Sequence, residues 1–372
     1  MHYNTIEINC QQFIRNIQVL KSYVADSRQN VKFCLPVKAN AYGHGLVEIA
    51  KITETHVDYF AVASLDEGSI LRQNGIVKPI LVFGAFADDQ VAGLIEYNLE
   101  ITVSSLYKAQ VVTQYCKQNG IKAMVHLKID TGMNRVGVRV ESAKSLIDFV
   151  VNQKELKLVG IYSHLANSDY GNDDFTFKQI EQFKHVVKYV KSIDNNIICH
   201  IANSGGVRFY PDSYFDMVRP GIATYGYLSN GLLGDGLAGI KPCFSLKSMV
   251  TYFKVVAKNS GISYNHTYIT SEQTRVVTIP IGYGDGYRRA LSNVGQVLIR
   301  GDRYTISGTI CMDMLMVDIG VNGTAYVGDE VVLIGVQGCE NITLESVAKL
   351  CNTIVYEILC GFNDRIPRLY VN

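Results

Sequence analysis

One alternation governs what this 372-residue chain can fold into. Across the first two-thirds, short apolar runs recur eight times: VKFCLPVKA, YFAVASL, PILVFG, LEITVSS, KAMVHLKID, LKLVGIYSHL, IICHIANS and YFDMVRPGI. They are strand-length, rich in Val, Ile and aromatics, and mostly continuous, as strands covered on both faces must be. Between them lie segments with apolar residues at helical spacing, such as Phe13, Ile17, Leu20 and Val24; Leu106, Ala109, Val112 and Cys116; and Phe183, Val187 and Val190. Eight βα alternations predict a parallel (β/α)8 TIM-type barrel over about 230 residues. The link GGVRFYP after the seventh run is the shortest helical segment.

From Gly231 the texture changes. GLLGDGLAG reads as a loop or linker, since no G-x-G-x-x-G spacing follows a strand there. Beyond it, SLKSMVTYFKVV, TRVVTIPIG, VGQVLIRG, YTISGTICMDMLMVDIG and DEVVLIG are strand runs without helices between them. One helical segment, Leu344 to Cys351, interrupts these runs before TIVYEILCG. The chain is therefore expected to be α/β plus β: a barrel over 1–240, with the extreme N-terminus a candidate to join the second domain, and a mostly β domain over 241–372.

A net charge of +1 with 19% charged residues gives no field for steering nucleic acid or an acidic membrane surface. The opening MHYNTIEINCQQF lacks the basic-then-apolar order of a signal peptide, and no apolar run is long enough to span a bilayer. Nine cysteines are scattered singly with no C-x-x-C pair, and Cys34, Cys199 and Cys311 sit inside apolar runs. That usage points to reduced, buried thiols in a cytoplasmic protein. The eight histidines form no H-x-x-x-H pair, and no metal is expected.

In a parallel barrel the chemistry gathers at the carboxyl ends of the strands. Those ends carry Lys38, Arg135, His164, Asn203, Ser204 and Arg219. Singly, each has an ordinary structural role: a snorkelling lysine, a surface ion pair, a satisfied core histidine, a helix cap. Together they fall on one rim. Gly205, Gly206 and Gly221 follow the seventh and eighth strands, where many barrels bind phosphate through bare N–H groups. A lysine at strand one facing such a cup is the layout expected for pyridoxal 5'-phosphate, which needs a Schiff-base lysine and a group at its ring nitrogen.

The sequence resembles the alanine racemases over nearly its full length. VKANAYGHG is similar to that family's cofactor-lysine signature, and HLKIDTGMNRVG, SHLANSD, ANSGG, VRPGIATYGY, SYNHTY, IPIGYGDGY, GTICMDM and RIPRLY follow in the family's order. The resemblance implies that Lys38 binds the cofactor and serves as one acid/base. Tyr264 would be the second, acting from the opposite face, so that one group removes the α-proton and the other returns it inverted. A phenol ionises near pH ~10 unless perturbed, so neighbouring His164 and Arg219 would have to ease its ionisation. Arg219 would contact the pyridine nitrogen; having only donors, it leaves that nitrogen unprotonated and the ring a weaker electron sink. Tyr42, Ser204, the N–H groups of Gly221 and Ile222, and Tyr356 match phosphate contacts. Arg135 would meet the cofactor's phenolic oxygen and the substrate carboxylate, braced by Lys128, a position carbamylated in many members. Met312 and Asp313 would lie near the carboxylate, and Tyr283 would narrow the entrance.

One departure stands out: the family often has arginine where this chain has Thr309, at the entrance. The implied activity is interconversion of L- and D-alanine, supplying D-alanine for peptidoglycan, by a homodimer whose two sites each draw on both subunits. A broad-specificity or serine-preferring racemase is the alternative; Tyr356 and Tyr283 crowd the side-chain pocket in the family and favour a methyl-sized substrate. A non-catalytic pyridoxal phosphate carrier of barrel type would lack the β domain and Tyr264. A decarboxylase would place an acidic residue at Arg219.

Overall fold

The computed structural model describes residues 3–228 and 237–372. The chain divides into two compact units, one of Phe13–Ala41 and Gly45–Lys241, the other of Met1–Gln12, Tyr42–His44 and Pro242–Asn372.

The first unit is a barrel. All eight apolar runs form strands: β1 (Lys32–Pro36), β2 (Tyr59–Val62), β3 (Ile80–Val82), β4 (Glu100–Val103), β5 (Ala123–Asp130), β6 (Leu156–Tyr162), β7 (Ile198–His200) and β8 (Met217–Val218). They pair in parallel in chain order, and β8 returns to β1 through Met217 opposite Lys32. Backbone bonds from Asp216 N to Cys199 O and from Arg219 N to Ala202 O, both 2.9 Å, tie β8 to β7. The near-closed ring explains the continuous apolar texture: one strand face meets helices and the other fills the interior. Seven crossover helices follow the strands: α1 (Leu46–Thr53), α2 (Leu65–Gln73), α3 (Val91–Glu96), α4 (Leu106–Asn119), α5 (Val140–Val151), α6 (Asp174–Ile193) and α7 (Ser204–Phe209). Ser64, Ser105, Asp173 and Asn203 cap α2, α4, α6 and α7 by accepting from backbone N–H groups of the first turn. The helix Cys10–Ser27 precedes β1, and its stripe Phe13, Ile17, Leu20 and Val24 is buried. GGVRFYP is helical as α7, the shortest alongside α3. Of the glycine-rich stretch GLLGDGLAG, residues 231–236 lie outside the described residues.

The second unit is strand-rich. Its main sheet runs Asp302–Thr305, Gln296–Ile299, Glu330–Gln337, Phe244–Met249, Thr5–Asn9 and Arg368–Val371. The N-terminal strand Thr5–Asn9 thus lies between two C-terminal strands, antiparallel to Phe244–Met249 and parallel to Arg368–Val371. A smaller sheet joins Tyr252–Val256, Thr274–Ile279 and Leu315–Asp318. The run TIVYEILCG, grouped by texture with strands, is instead the helix Val355–Gly361. Val355, Ile358 and Leu359 are its buried residues, at i, i+3 and i+4, so one helical stripe accounts for its apolar content. Among the described residues no helix is long and apolar enough to cross a membrane. Cys34 and Cys199 are buried as expected, whereas Cys311 is only half-buried.

Candidate active site

Beyond β1 the chain does something L-residues rarely do. Lys38–Tyr42 forms a helical turn in which Ala39 (φ 53°, ψ 54°), Asn40 (φ 53°, ψ 46°) and Ala41 (φ 52°, ψ 52°) are left-handed, and Tyr42 continues at φ 51°. None is glycine, and each such residue costs roughly 1–2 kcal/mol. Hydrogen bonds hold the turn. Ala39 N donates to Glu67 Oε1 at 2.6 Å, while the other oxygen of that carboxylate accepts from Ala63 N at 2.7 Å. Ala41 N donates to Val37 O, and Asn40 Oδ1 accepts from Leu46 N, starting α1. The apolar run that drives into Lys38 therefore ends in a strained, braced turn with the lysine as its first residue.

Around the strand ends of this unit, basic side chains act electrostatically on one imidazole. His164 is held well below the usual imidazole range by burial first, and then by the charges of Lys128, Arg219, Arg135 and Lys38. Lys128, on β5, is buried, and its ammonium lies 4.3 Å from the centre of the Tyr162 ring. Burial, Arg219 and Arg135 push its pKa far down, with Asp130 opposing. Arg135 is exposed, on a turn whose backbone N–H groups at Gly132 and Asn134 donate to Asp130 Oδ1. Arg219 is buried; burial lowers its guanidinium to about 10, still a cation at neutral pH. It donates to His200 Nδ1 at 2.7 Å, to Ser163 O at 2.7 Å and to Ile201 O at 3.1 Å. Such a rim is suited to a ligand carrying several negative charges.

A pair of buried, unpartnered backbone N–H groups lies in the same unit. Gly221 and Ile222 are buried, and among the described residues their backbone N–H groups donate to no protein acceptor. Buried N–H groups are nearly always paired, so two adjacent orphans call for an external acceptor. Ser204, at the start of α7, is beside them: its hydroxyl accepts from Ala223 N at 3.2 Å. Asn203 is occupied structurally, taking Gly206 N and the Ser168 hydroxyl on Oδ1 and donating to Leu165 O. It fixes the turn that carries Ser204. Anion donors, a lysine just past the end of β1 and a buried guanidinium are groups that fit pyridoxal phosphate.

The remaining residues singled out from sequence lie in the second unit. Tyr42 and Tyr356 are neighbours there, with ring centroids 6.0 Å apart. Tyr264, Tyr283, Met312 and Asp313 are all exposed and gather about the segment 309–313. Tyr283 N donates to Cys311 O at 3.1 Å, and Gly284 N to Met312 O at 2.8 Å. Thr309 is buried and donates to the carbonyl of Tyr264 at 3.1 Å, bracing the turn in which Ser263 and Asn265 have φ of 64° and 62°. Asp313 pairs with Arg365 at 2.8 Å.

Sequence reasoning passed over a line of polar side chains inside the barrel. His200 Nε2 is 3.1 Å from His126 Nδ1, and His126 Nε2 is 2.7 Å from Glu100 Oε2. Tyr162 stacks flat on His200 with centroids 5.0 Å apart, and its hydroxyl meets Thr102 at 2.8 Å. Their signal was available: each is a polar residue set within an apolar strand run.

Comparison with known proteins now adds to the geometry. Residues 8–229 match the family model "Alanine racemase, N-terminal domain", and residues 243–370 match "Alanine racemase, C-terminal domain". The alanine racemase of Carboxydothermus hydrogenoformans is 40% identical over 368 residues, covering 98% of each chain. Alanine racemase 2 of Caldanaerobacter subterraneus subsp. tengcongensis is 38% identical over 370 residues, covering 98% of this chain and 94% of the relative. The solved alanine racemase of Clostridium difficile 630 superposes with a TM-score of 0.91 at 36% identity, over 100% of this chain and 96% of that one. With both domain models matched in order and full-length relatives at this identity, the chain belongs to the alanine racemase family.

Proposed function

We propose that this protein is a pyridoxal-phosphate-dependent alanine racemase that interconverts L- and D-alanine in the cytoplasm and supplies D-alanine for peptidoglycan. Membership of the family carries the reading, supported by the buried guanidinium of Arg219 beside His164 and by the backbone N–H groups of Gly221 and Ile222 that meet no acceptor among the described residues. When bound, pyridoxal phosphate withdraws electrons from an attached amino acid and acidifies its α-carbon.

The chain's own residues divide the remaining work. Lys38 Nζ holds the cofactor and exchanges the α-proton on one face. The phenol of Tyr264 exchanges it on the other, so each enantiomer is the substrate of one base and the product of the other. The N–H groups of Gly221 and Ile222, with Ser204, hold the phosphate. Arg219 donates to the ring nitrogen and keeps it unprotonated, which limits electron withdrawal to what reversible proton exchange needs. Arg135 orients the substrate carboxylate, a planar donor against an anion. Met312 and Asp313 border that carboxylate, and Tyr283 narrows access. A homodimer would bring Tyr264 of one copy to Lys38 of the other, which is consistent with 67% exposure of Tyr264 in the single chain.

Lys128 would carry a carbamate. An amine whose charge is suppressed by burial and two arginines is the form that attacks carbon dioxide, and the product's negative charge would brace Arg135. Intact-mass measurement in bicarbonate, against Lys128→Met, reads the adduct directly.

The test of the activity is incubation of the cofactor-loaded protein with L-alanine and, separately, with other L-amino acids, followed by chiral chromatography. D-alanine formed in clear preference to other D-products is expected. Equal rates across amino acids would replace alanine by a broad substrate class, and no racemisation of any amino acid with cofactor bound would overturn the reading.

A further inference from the structure

Arg219 is a buried cation with no carboxylate against it. Its hydrogen-bond partners are the carbonyls of Ser163 and Ile201 and the rings of His200 and His164, the Tyr162 and Phe83 rings lie 5.3 and 5.9 Å from it, and among the described residues it forms no ion pair. A buried charge without compensation is expensive, so its counter-charge has to be found elsewhere.

Hydrogen-bond logic leads to it. Guanidinium has only donors, so His200 Nδ1, 2.7 Å from Nη1, must be an unprotonated acceptor. His200 then carries its proton on Nε2, 3.1 Å from His126 Nδ1, which must accept in turn. His126 therefore carries its own proton on Nε2 and donates to Glu100 Oε2 at 2.7 Å. Reversing either tautomer, or adding a proton to either ring, would set two hydrogens facing each other along the line. Only one proton arrangement satisfies every contact. Glu100, His126, His200 and Arg219 are all buried, at 4%, 0%, 0% and 3% exposure, so water does not compete. Tyr59 closes the far end, its hydroxyl donating to Glu100 Oε1 at 3.4 Å.

We infer that Glu100 is a positioning residue for Arg219, supplying its counter-charge through two neutral imidazoles locked in one direction. Resting on the racemase reading for its functional consequence, the inference adds a residue three side chains away from the group that faces the cofactor ring. Burial and the charge of Arg219 hold His200 well below the usual imidazole range, in keeping with a neutral ring. The carboxylate keeps His126 a donor, His126 keeps His200 an acceptor, and His200 pins the guanidinium as a donor at a fixed orientation.

Two measurements test this. Imidazole nitrogen NMR on the 15N-histidine-labelled holoprotein, assigned with single His variants, should show His126 and His200 both neutral with protonated Nε2 at neutral pH. A protonated Nδ1 on either ring overturns the inference without any activity measurement. In Glu100→Gln, which keeps the size and removes the charge, kcat for alanine should fall about tenfold with KM nearly unchanged, the lower end of what outer partners of a bound group contribute. The absorbance of the bound cofactor should shift, and Glu100→Asp should recover part of both. Wild-type racemisation with a Glu100→Gln variant that keeps full kcat and an unshifted spectrum overturns the positioning role alone. Absence of racemisation in the wild type overturns the racemase reading and leaves the nitrogen spectra to decide the proton arrangement.

Discussion

Gly160 on β6 lies directly against the ring of His126 on β5: a Cβ at position 160 would stand 2.5 Å from Nδ1 and 2.6 Å from Cε1. The glycine's backbone is unstrained, so the requirement is for space alone. Gly160→Ala must push His126 out of line or open the strand pair, and overpacking of this kind costs about 1–3 kcal/mol. The denaturant midpoint should fall accordingly, and an unchanged midpoint would contradict the contact.

Stability should depend on pH through two histidines of the barrel. His164 and His200 have folded-state pKa values well below the ordinary imidazole value of about 6.5. Above 6.5 neither state binds a proton at these rings and their cost is nil. As pH falls through 6.5 the unfolded chain takes up protons that the folded one refuses, and stability drops. Urea midpoints measured on both sides of 6.5 should show this slope, and His200→Asn should flatten part of it. Equal slopes in the two proteins would show that His200 protonates freely in the fold.

Lys38→Ala should abolish covalent attachment of the cofactor, because only a primary amine can form that link. Borohydride reduction of the wild-type holoprotein, followed by peptide mass spectrometry, should find the label on Lys38. A label on any other lysine would exclude it as the anchoring residue.

If Tyr264 serves the partner's site, chains carrying Lys38→Ala and Tyr264→Ala should complement when mixed under conditions of subunit exchange. Random pairing makes half the dimers mixed, and one of two sites in each is intact, so about a quarter of wild-type activity should return. Tagged pull-down confirms exchange. Activity staying at the level of the separate variants would place Tyr264 within its own chain's site or outside catalysis.

The barrel was readable because strands covered on both faces leave unbroken apolar runs, and all eight were in place. The helix Val355–Gly361 was not, since two turns carry too few residues for period 3.6 to separate from a short apolar run. Lys38 and Arg219 were legible as strand-end residues and by resemblance. The Glu100–His126–His200 line was not, because its members are 26 and 74 positions apart and become one device only when the barrel closes. The turn after Lys38 was hidden for another reason: KANAY has no glycine between 39 and 42, the usual mark of positive φ.

That turn has a consequence in mirror-image chemistry. The dihedrals of residues 39 to 41 are those of a left-handed helix, the hand that D-amino acids favour, with φ and ψ reversed in sign from the right-handed helix of L-residues. At Ala39, whose side chain is exposed, a D-alanine introduced by chemical ligation would relieve the steric cost that L-alanine bears there, roughly 1–2 kcal/mol. Over most of the fold a D-residue is a defect. In the turn that carries Lys38 it would be the better-fitting enantiomer.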